Sequence, residues 1–411
     1  MFREITRCCI CGNTHLAAIV DLGTQYLTGV FPRDRNQPLT AGPLKLVKCT
    51  GSDGCCGLVQ LQHVYSLDEM YGENYGYRSG LNKSMITHLH NKVQKILGFA
   101  GLEPGDLVID IGSNDSTTLQ AYPPSRYKLV GVDPTGAKFR EYYPPHIGLI
   151  PDFFSLKNVR AHCGEQKAKV VTSFSMFYDL EDPLNFMREV FEVLDDQGVW
   201  VFEQSYLPAM LEKNSYDTIC HEHLEYYAMK QIKWMADKVG FRVVDIEFNA
   251  INGGSFSVTV AKQASRLPEA ANLAAVLQSE TDLGLDSLET YRQFFTRVQQ
   301  SRTELRAFID DVRRQGKTIF GLGASTKGNV LLQYCGFTEK DLPAVGEVNT
   351  DKYGALCPGT WIPIRPEREL LAQKPDYLLV LPWHFRSFFE NNDAFSSVKL
   401  VFPLPNLEVV G

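Results

Sequence analysis

The chain has 411 residues, 44% of them hydrophobic and 22% charged, with 41 Lys and Arg against 48 Asp and Glu for a formal charge of −7. That length predicts two or three domains, and the composition excludes disordered and fibrous classes. The acidic balance argues against a nucleic-acid or anionic-membrane binder, and no run of about 18 apolar residues is available to span a bilayer. The start, Met1 to Ile5, lacks the apolar stretch of a secretory signal, so a cytoplasmic protein is expected.

Of the ten cysteines, six fall within the first 56 residues: Cys8, Cys9, Cys11, Cys49, Cys55 and Cys56. In a reducing compartment such clustering points to metal rather than to disulfides. Cys8 and Cys11 form one C-x2-C knuckle closed by Gly12. Cys49 opens a second, wider knuckle that ends at Cys55 or Cys56. Cys56 is preferred because Gly57 follows it as Gly12 follows Cys11, and Cys9 is then a bystander. Four thiolates fill the coordination sphere of zinc, so the site reads as a structural staple. The plainer alternative is a set of reduced cysteines buried as small hydrophobes.

From Asp68 to about Phe99 the pattern turns helical, after the aromatic and polar run Tyr71, Tyr75, Gly76, Tyr77, Arg78, Ser79. Those phenols suit either a packed seam or a polar ligand. A strand-turn-helix unit follows: Leu107 to Ile111, then Gly112-Ser113-Asn114-Asp115-Ser116, then a second strand, Lys128 to Val132, ending at Asp133-Pro134. An acid placed there can accept both hydroxyls of an adenosine ribose, while the first glycine lets backbone approach the ligand. The loop lacks G-x-G-x-x-G, and Asp115 would repel a pyrophosphate. An ammonium and a sulfonium suit it better, which favours S-adenosylmethionine (SAM) over NAD.

Strands at Lys169–Phe174 and Val199–Glu203, separated by a helix from Pro183 to Leu194, predict a doubly wound parallel α/β sheet. Next comes Tyr216-Asp217-Thr218-Ile219-Cys220-His221-Glu222-His223. Two histidines two apart cannot ligate a metal from one helix face, but on an extended segment they would point the same way. Histidine is the common base near neutral pH, with Glu222 placed to orient it; a polar turn without chemistry is the bland reading. After a break between Lys262 and Asp286, a long helix over 287–315 leads into a second strand-turn-helix, Lys317 to Phe320, Gly321-Leu322-Gly323 and Ala324 to Gly328. Its turn exposes backbone N–H groups and Lys327 adds a charge suited to phosphate, unless that lysine is merely solvated. Strands at Ala344–Val348 and Tyr377–Leu381 complete a smaller α/β domain. The expected division is 1–67 zinc module, 68–265 SAM domain and 266–411 C-terminal Rossmann-like domain.

In order and spacing these segments resemble the three-domain sugar C-methyltransferases of deoxysugar pathways. The resemblance rests on Cys8-x2-Cys11 with Cys56-Gly57-Leu58-Val59-Gln60-Leu61, on Asp110 to Asp115, on Gly131-Val132-Asp133-Pro134 and on Tyr216 to His223. Gly323-Ala324-x-x-Lys327-Gly328-Asn329 and Pro358-Gly359-Thr360-x-Ile362-Pro363-Ile364 extend it. It implies a dTDP- or GDP-linked 4-keto-6-deoxyhexose as acceptor, methylated at carbon, with C3′ expected and C5′ or a hydroxyl as alternatives. It also implies His223 as base, Glu222 beside it, and Tyr77, then Tyr75, as donors to the oxyanion or sugar. Gly112, Asn114 and Asp115 would lie near the methionine moiety, Asp133 on the ribose, and Phe153, Phe154 and Phe174 about the adenine, with Ser173 also at the cofactor. Ser79, Cys220, Lys327 and Asn329 would face the nucleotide sugar. The chain departs from the family pattern at Cys220, where a tyrosine is expected, and at Asp179, where a histidine is. It departs again at Asn252, which replaces the histidine of His-Gly-Gly-Ser-x-Arg, and at Ser116, the third glycine of the SAM loop. Outside this class stand a non-catalytic zinc and SAM scaffold and an NAD-dependent sugar enzyme.

Overall fold

In the computed structural model, which describes residues 2–51, 54–65, 70 and 78–411, three larger sheets organise the chain. The central one has seven strands in the order Phe241–Asn249, Ser255–Lys262, Leu194–Ser205, Ala168–Phe174, Leu107–Ile111, Lys128–Val132, Ile147–Ile150. From Leu194–Ser205 onward the pairing is parallel. Leu107–Ile111 is buried along its whole length, as a strand covered on both faces must be. Its two neighbours follow it in sequence but lie on opposite sides, so a crevice opens where the strand order reverses.

The two antiparallel edge strands, Phe241–Asn249 and Ser255–Lys262, are absent from the sequence expectation. The first is set up by Gly240, whose φ of +99° ends the helix Met229–Val239. Of the expected helical stretch 68–99, Met70 is helical, and a helix Lys83–Phe99 begins where the Asn82 side chain accepts the Ser84 N–H and caps it. The break at 262–286 contains the helix Leu273–Asp282. Among the described residues no helix is long and apolar enough to cross a membrane.

A four-stranded antiparallel sheet carries the N-terminal region, in the order Glu225–Tyr226, Val59–Leu61, Ala41–Cys49, Leu16–Tyr26. Its first strand comes from just beyond His223, so the His-Glu-His turn is stitched directly to the cysteine-bearing region. The C-terminal sheet has six strands, of which the first five are parallel: Ile364–Pro366, Val345–Glu347, Ile319–Leu322, Tyr377–Val380, Lys399–Phe402, and then antiparallel Glu408–Val410. The helix Leu288–Arg314 buries Tyr291, Phe294, Val298, Leu305, Ile309 and Val312 at helical spacing and leaves its charged face to solvent.

One polar cluster fixes the helix Lys83–Phe99 to the sheet. Glu203, buried near the end of a central strand, accepts from His88 Nε2 at 2.5 Å, Lys92 Nζ at 3.0 Å and Asn249 Nδ2 at 2.8 Å. Burial raises its pKa, but His88 and Lys92 outweigh burial and hold it below the ordinary carboxylate value. A depressed folded-state pKa stabilises above the unfolded value of about 4.3 and is lost as pH falls through the folded one. Glu203→Ala, which removes the buried carboxylate that Lys92, His88 and Asn249 share, should cost about 3 kcal/mol in chemical denaturation at pH 7. The deficit should shrink below pH 4; a pH-independent deficit would contradict the assignment.

Candidate active site

A cavity of about 390 Å³ opens at the carboxyl ends of the central strands, within the size range of small-molecule sites. Gly112, Asn114, Asp133, Phe153, Phe154, Phe174 and Ser79 line it. Gly112 has φ +74°, and a Cβ there would lie 3.1 Å from Met176 Cγ, so the turn requires glycine. Asn114 (φ +48°) and Ser116 (φ +63°) continue the left-handed run, so the position of the missing third glycine keeps a glycine-like conformation. Asp133 closes the loop: Oδ2 accepts the Asn114 N–H at 2.8 Å, and Oδ1 accepts Thr135 N–H at 2.7 Å and Oγ1 at 2.6 Å.

Two residues expected at the cofactor lie elsewhere. The Asp115 carboxylate does not line the cavity; Oδ2 accepts the Gly80 N–H at 2.9 Å and sits 3.8 Å from Arg78 Nε, while Oδ1 takes the Thr117 hydroxyl at 2.5 Å. With Asn114 Oδ1 accepting the Ser79 N–H at 3.0 Å, the loop grips the backbone of the preceding segment. Ser173 is fully buried, its hydroxyl accepting the Trp200 indole N–H at 2.9 Å. Conversely, Asp110 lies in the cavity floor, donated a 2.6 Å bond by Thr172 and pushed up to about 7 by burial. The signal for it was present, an acid inside an apolar strand that ends at a glycine turn.

In the N-terminal module the Sγ atoms of Cys8, Cys11, Cys49 and Cys56 all lie within 4.8 Å of one another, with Cys8–Cys56 at 3.4 Å and Cys11–Cys49 at 3.5 Å. Four thiolates about 2.3 Å from one zinc would stand about 3.8 Å apart, so the cluster fits that ion. Gly12 and Gly57 take matching φ values of +73° and +71° after their cysteines. Asn13 Nδ2 and the Leu58 N–H approach the sulfurs of Cys49 and Cys56 at 3.2 and 3.5 Å, as supporting donors do. Cys55 turns toward the Gly51 carbonyl, and Cys9 donates to Glu225 at 3.4 Å.

The His-Glu-His segment is a turn, and its two histidines face different ways. His221 is fully buried beneath the N-terminal sheet, edge-on to Tyr65 at 4.6 Å. His223 packs on Tyr178 at 4.4 Å, and Met176 and Asp179, flanking Tyr178, line the cofactor cavity. His223 Nδ1 lies 2.9 Å from the Thr218 carbonyl. A carbonyl only accepts, so Nδ1 carries the proton and Nε2 keeps its lone pair. Burial, then the charge of Lys327, pushes His223 down to about 4 and keeps it neutral at pH 7.

Around it the three parts of the chain converge. Glu222 is half-buried, with Thr28 Oγ1 of the N-terminal region 3.4 Å from Oε2. The Cys220 thiol is fully buried, and burial, then the charge of Glu222, pushes it up. Lys327 lies in the first turn of the helix Thr326–Cys335 and donates to the Asn252 carbonyl at 2.5 Å. Asn329 is buried and donates to the Thr28 carbonyl at 2.8 Å, joining domains. Trp383 Nε1 reaches Asp217 at 2.8 Å in the same way. Tyr75 and Tyr77 lie outside the described residues.

A glycine loop and a strand-end acid frame a cavity at the switch point of a parallel sheet, the place for an adenosine-bearing cofactor, and the family matches make the chain a SAM-dependent methyltransferase. Three family models match in succession: a zinc binding domain over 8–71, a methyltransferase domain over 84–246 and a C-methyltransferase C-terminal domain over 250–405. The chain belongs to the C-methyltransferases built from these three domains. The C-methyltransferase NovU of Streptomyces niveus is 29% identical over 424 residues, 99% of this chain and 97% of the relative. Among solved structures, the CcbJ methyltransferase of Streptomyces caelestis is 14% identical with a TM-score of 0.33, covering 42% of this chain and 89% of its own. The CurJ carbon methyltransferase is 13% identical with a TM-score of 0.35, covering 45% and 57%. Likenesses of that size carry no weight for function.

The cysteine geometry has a direct test in metal content. Purified protein should hold about one zinc per chain, retained in Cys55→Ala and Cys9→Ala and lost in Cys56→Ala. Loss in Cys55→Ala with retention in Cys56→Ala would reverse the assignment.

Proposed function

We propose that this C-methyltransferase acts on a carbon beside the ketone of a nucleotide-linked 4-keto-6-deoxyhexose, at C3′, in the cytoplasm. The carrying observation is the state of His223: neutral, its Nδ1 proton committed to the Thr218 carbonyl and its Nε2 lone pair available. Bound SAM supplies an electrophilic methyl group. His223 Nε2 would take the proton from the acidified carbon, and the electron pair of that C–H bond would become the enolate whose carbon accepts the methyl as the S–CH3 bond breaks and S-adenosylhomocysteine leaves. Glu222 holds the acceptor beside the base. Tyr77, or Tyr75, is assigned as donor to the developing oxyanion.

A pKa near 4 makes a weak base, and its second cause is Lys327. A dTDP or GDP diphosphate placed against Lys327 offsets that charge, so acceptor binding itself strengthens the base. Asp133, Gly112 and Asn114 are assigned to the cofactor, with Phe153, Phe154 and Phe174 around its adenine. The departure at Cys220 favours one second reading, methylation at C5′: a buried thiol replaces a tyrosine hydroxyl, altering how the sugar sits.

The test combines the protein, SAM and dTDP- or GDP-4-keto-6-deoxyhexose, read by mass spectrometry and NMR. One methyl on carbon is expected, at C3′. His223→Asn should lower turnover by about 10³-fold with SAM affinity unchanged. The acid limb of kcat/KM, which reports the free enzyme, should fall near pH 4 rather than near the ordinary histidine value of about 6.5. Methyl found on oxygen or nitrogen, or full turnover by His223→Asn, would overturn the proposal.

A further inference from the structure

We infer that Gly29, contributed by the zinc-binding region, is a positioning residue for the Glu222 carboxylate; this rests on the acceptor chemistry proposed above. A Cβ built on Gly29 would lie 2.6 Å from Glu222 Oε1, 3.7 Å from its carboxyl carbon and 3.8 Å from Thr326 Oγ1, with nothing else so near. Its φ is outside the left-handed region, so the backbone itself would accept any residue. What calls for glycine here is the carboxylate.

The same stretch also binds that carboxylate. The Thr28 hydroxyl donates to Glu222 Oε2 at 3.4 Å. Nor can the stretch yield. Tyr26 exchanges hydrogen bonds with the Gln333 amide at 2.8 and 3.2 Å, Leu27 N–H donates to Thr40 at 3.0 Å, and Asn329 holds the Thr28 carbonyl. A methyl group at position 29 therefore has one soft neighbour to displace, the end of the Glu222 side chain. The consequence is catalytic rather than structural: Glu222 swings out of register with the acceptor while the fold stays intact. By this route the N-terminal region takes part in the reaction, setting how close the acceptor stands to His223.

The test is a double-mutant cycle of Gly29→Ala and Glu222→Asp, with Glu222→Gln as control, on the full chain with SAM and the 4-keto-6-deoxyhexose nucleotide that the wild type methylates. Gly29→Ala should lower kcat by about tenfold to a hundredfold, the scale of a misplacement of roughly 1 Å, with zinc content and SAM affinity unchanged. Glu222→Asp, which withdraws the carboxylate from position 29, should cost activity alone but little more in the Gly29→Ala background. Thr28→Val, which removes a donor without adding bulk, should lower kcat by about fivefold. Wild-type kcat in Gly29→Ala, or losses that multiply across the cycle, would overturn the inference. If Glu222→Gln is impaired in that event, only the role of Gly29 falls. If Glu222→Gln turns over normally, the assignment of Glu222 to the acceptor falls with it.

Discussion

The backbone of Leu224 is bonded on both sides. Its N–H donates to the Tyr178 carbonyl at 2.8 Å, next to residues that line the cofactor cavity, and its own carbonyl accepts the Leu61 N–H at 2.8 Å in the N-terminal sheet. The His-Glu-His turn immediately before it has little freedom left. One hydrogen bond aims it at the central sheet and the other at the cysteine-bearing region, and His223 adds a third to Thr218. Because backbone groups this buried must be paired, a small shift of either sheet would break a bond whose replacement is not at hand. The zinc site acts through the same connection, since Cys56 shortly precedes the strand Val59–Leu61 and Cys49 ends the strand paired with it.

Charge at the junction follows from its dryness. Lys327, Asp217, Glu222 and His223 all sit where burial disfavours the ionised form. Lys327 and Asp217 relieve each other, while Lys327 and His223 oppose, so the arrangement before acceptor binding keeps the imidazole neutral. An anionic ligand beside Lys327 changes that balance with no movement of protein. The cofactor cavity, by contrast, is shaped by backbone conformation: three left-handed residues, Gly112, Asn114 and Ser116, and one acid, Asp133, that ties the loop to the next strand.

Much of the fold was readable because its elements obey local rules. Leu107 to Ile111 is apolar throughout, Gly112 ends it, and Asp133 recurs at the end of the next strand. The paired glycines after Cys11 and Cys56 likewise separated Cys56 from Cys55. Where the reading failed, the deciding partner was distant. Nothing near Asp115 says that Gly80 and Arg78 will claim its carboxylate, and nothing near Ser173 foretells the indole of Trp200. The orientation of His221 was set by Tyr65, far away in the chain. Gly29 escaped notice because a glycine with ordinary φ in a loop carries no local signal. Its meaning appears only when Glu222 is placed against it.

The central claim is that His223 removes a proton from carbon, and hydrogen exchange tests it without relying on methyl transfer. The wild-type protein would be incubated in D2O with the 4-keto-6-deoxyhexose nucleotide and S-adenosylhomocysteine, which carries no transferable methyl, and followed by NMR. Deuterium entering at C3′ with wild type and not with His223→Asn is the predicted result. Exchange at C3′ that is equally fast without His223 would contradict the account.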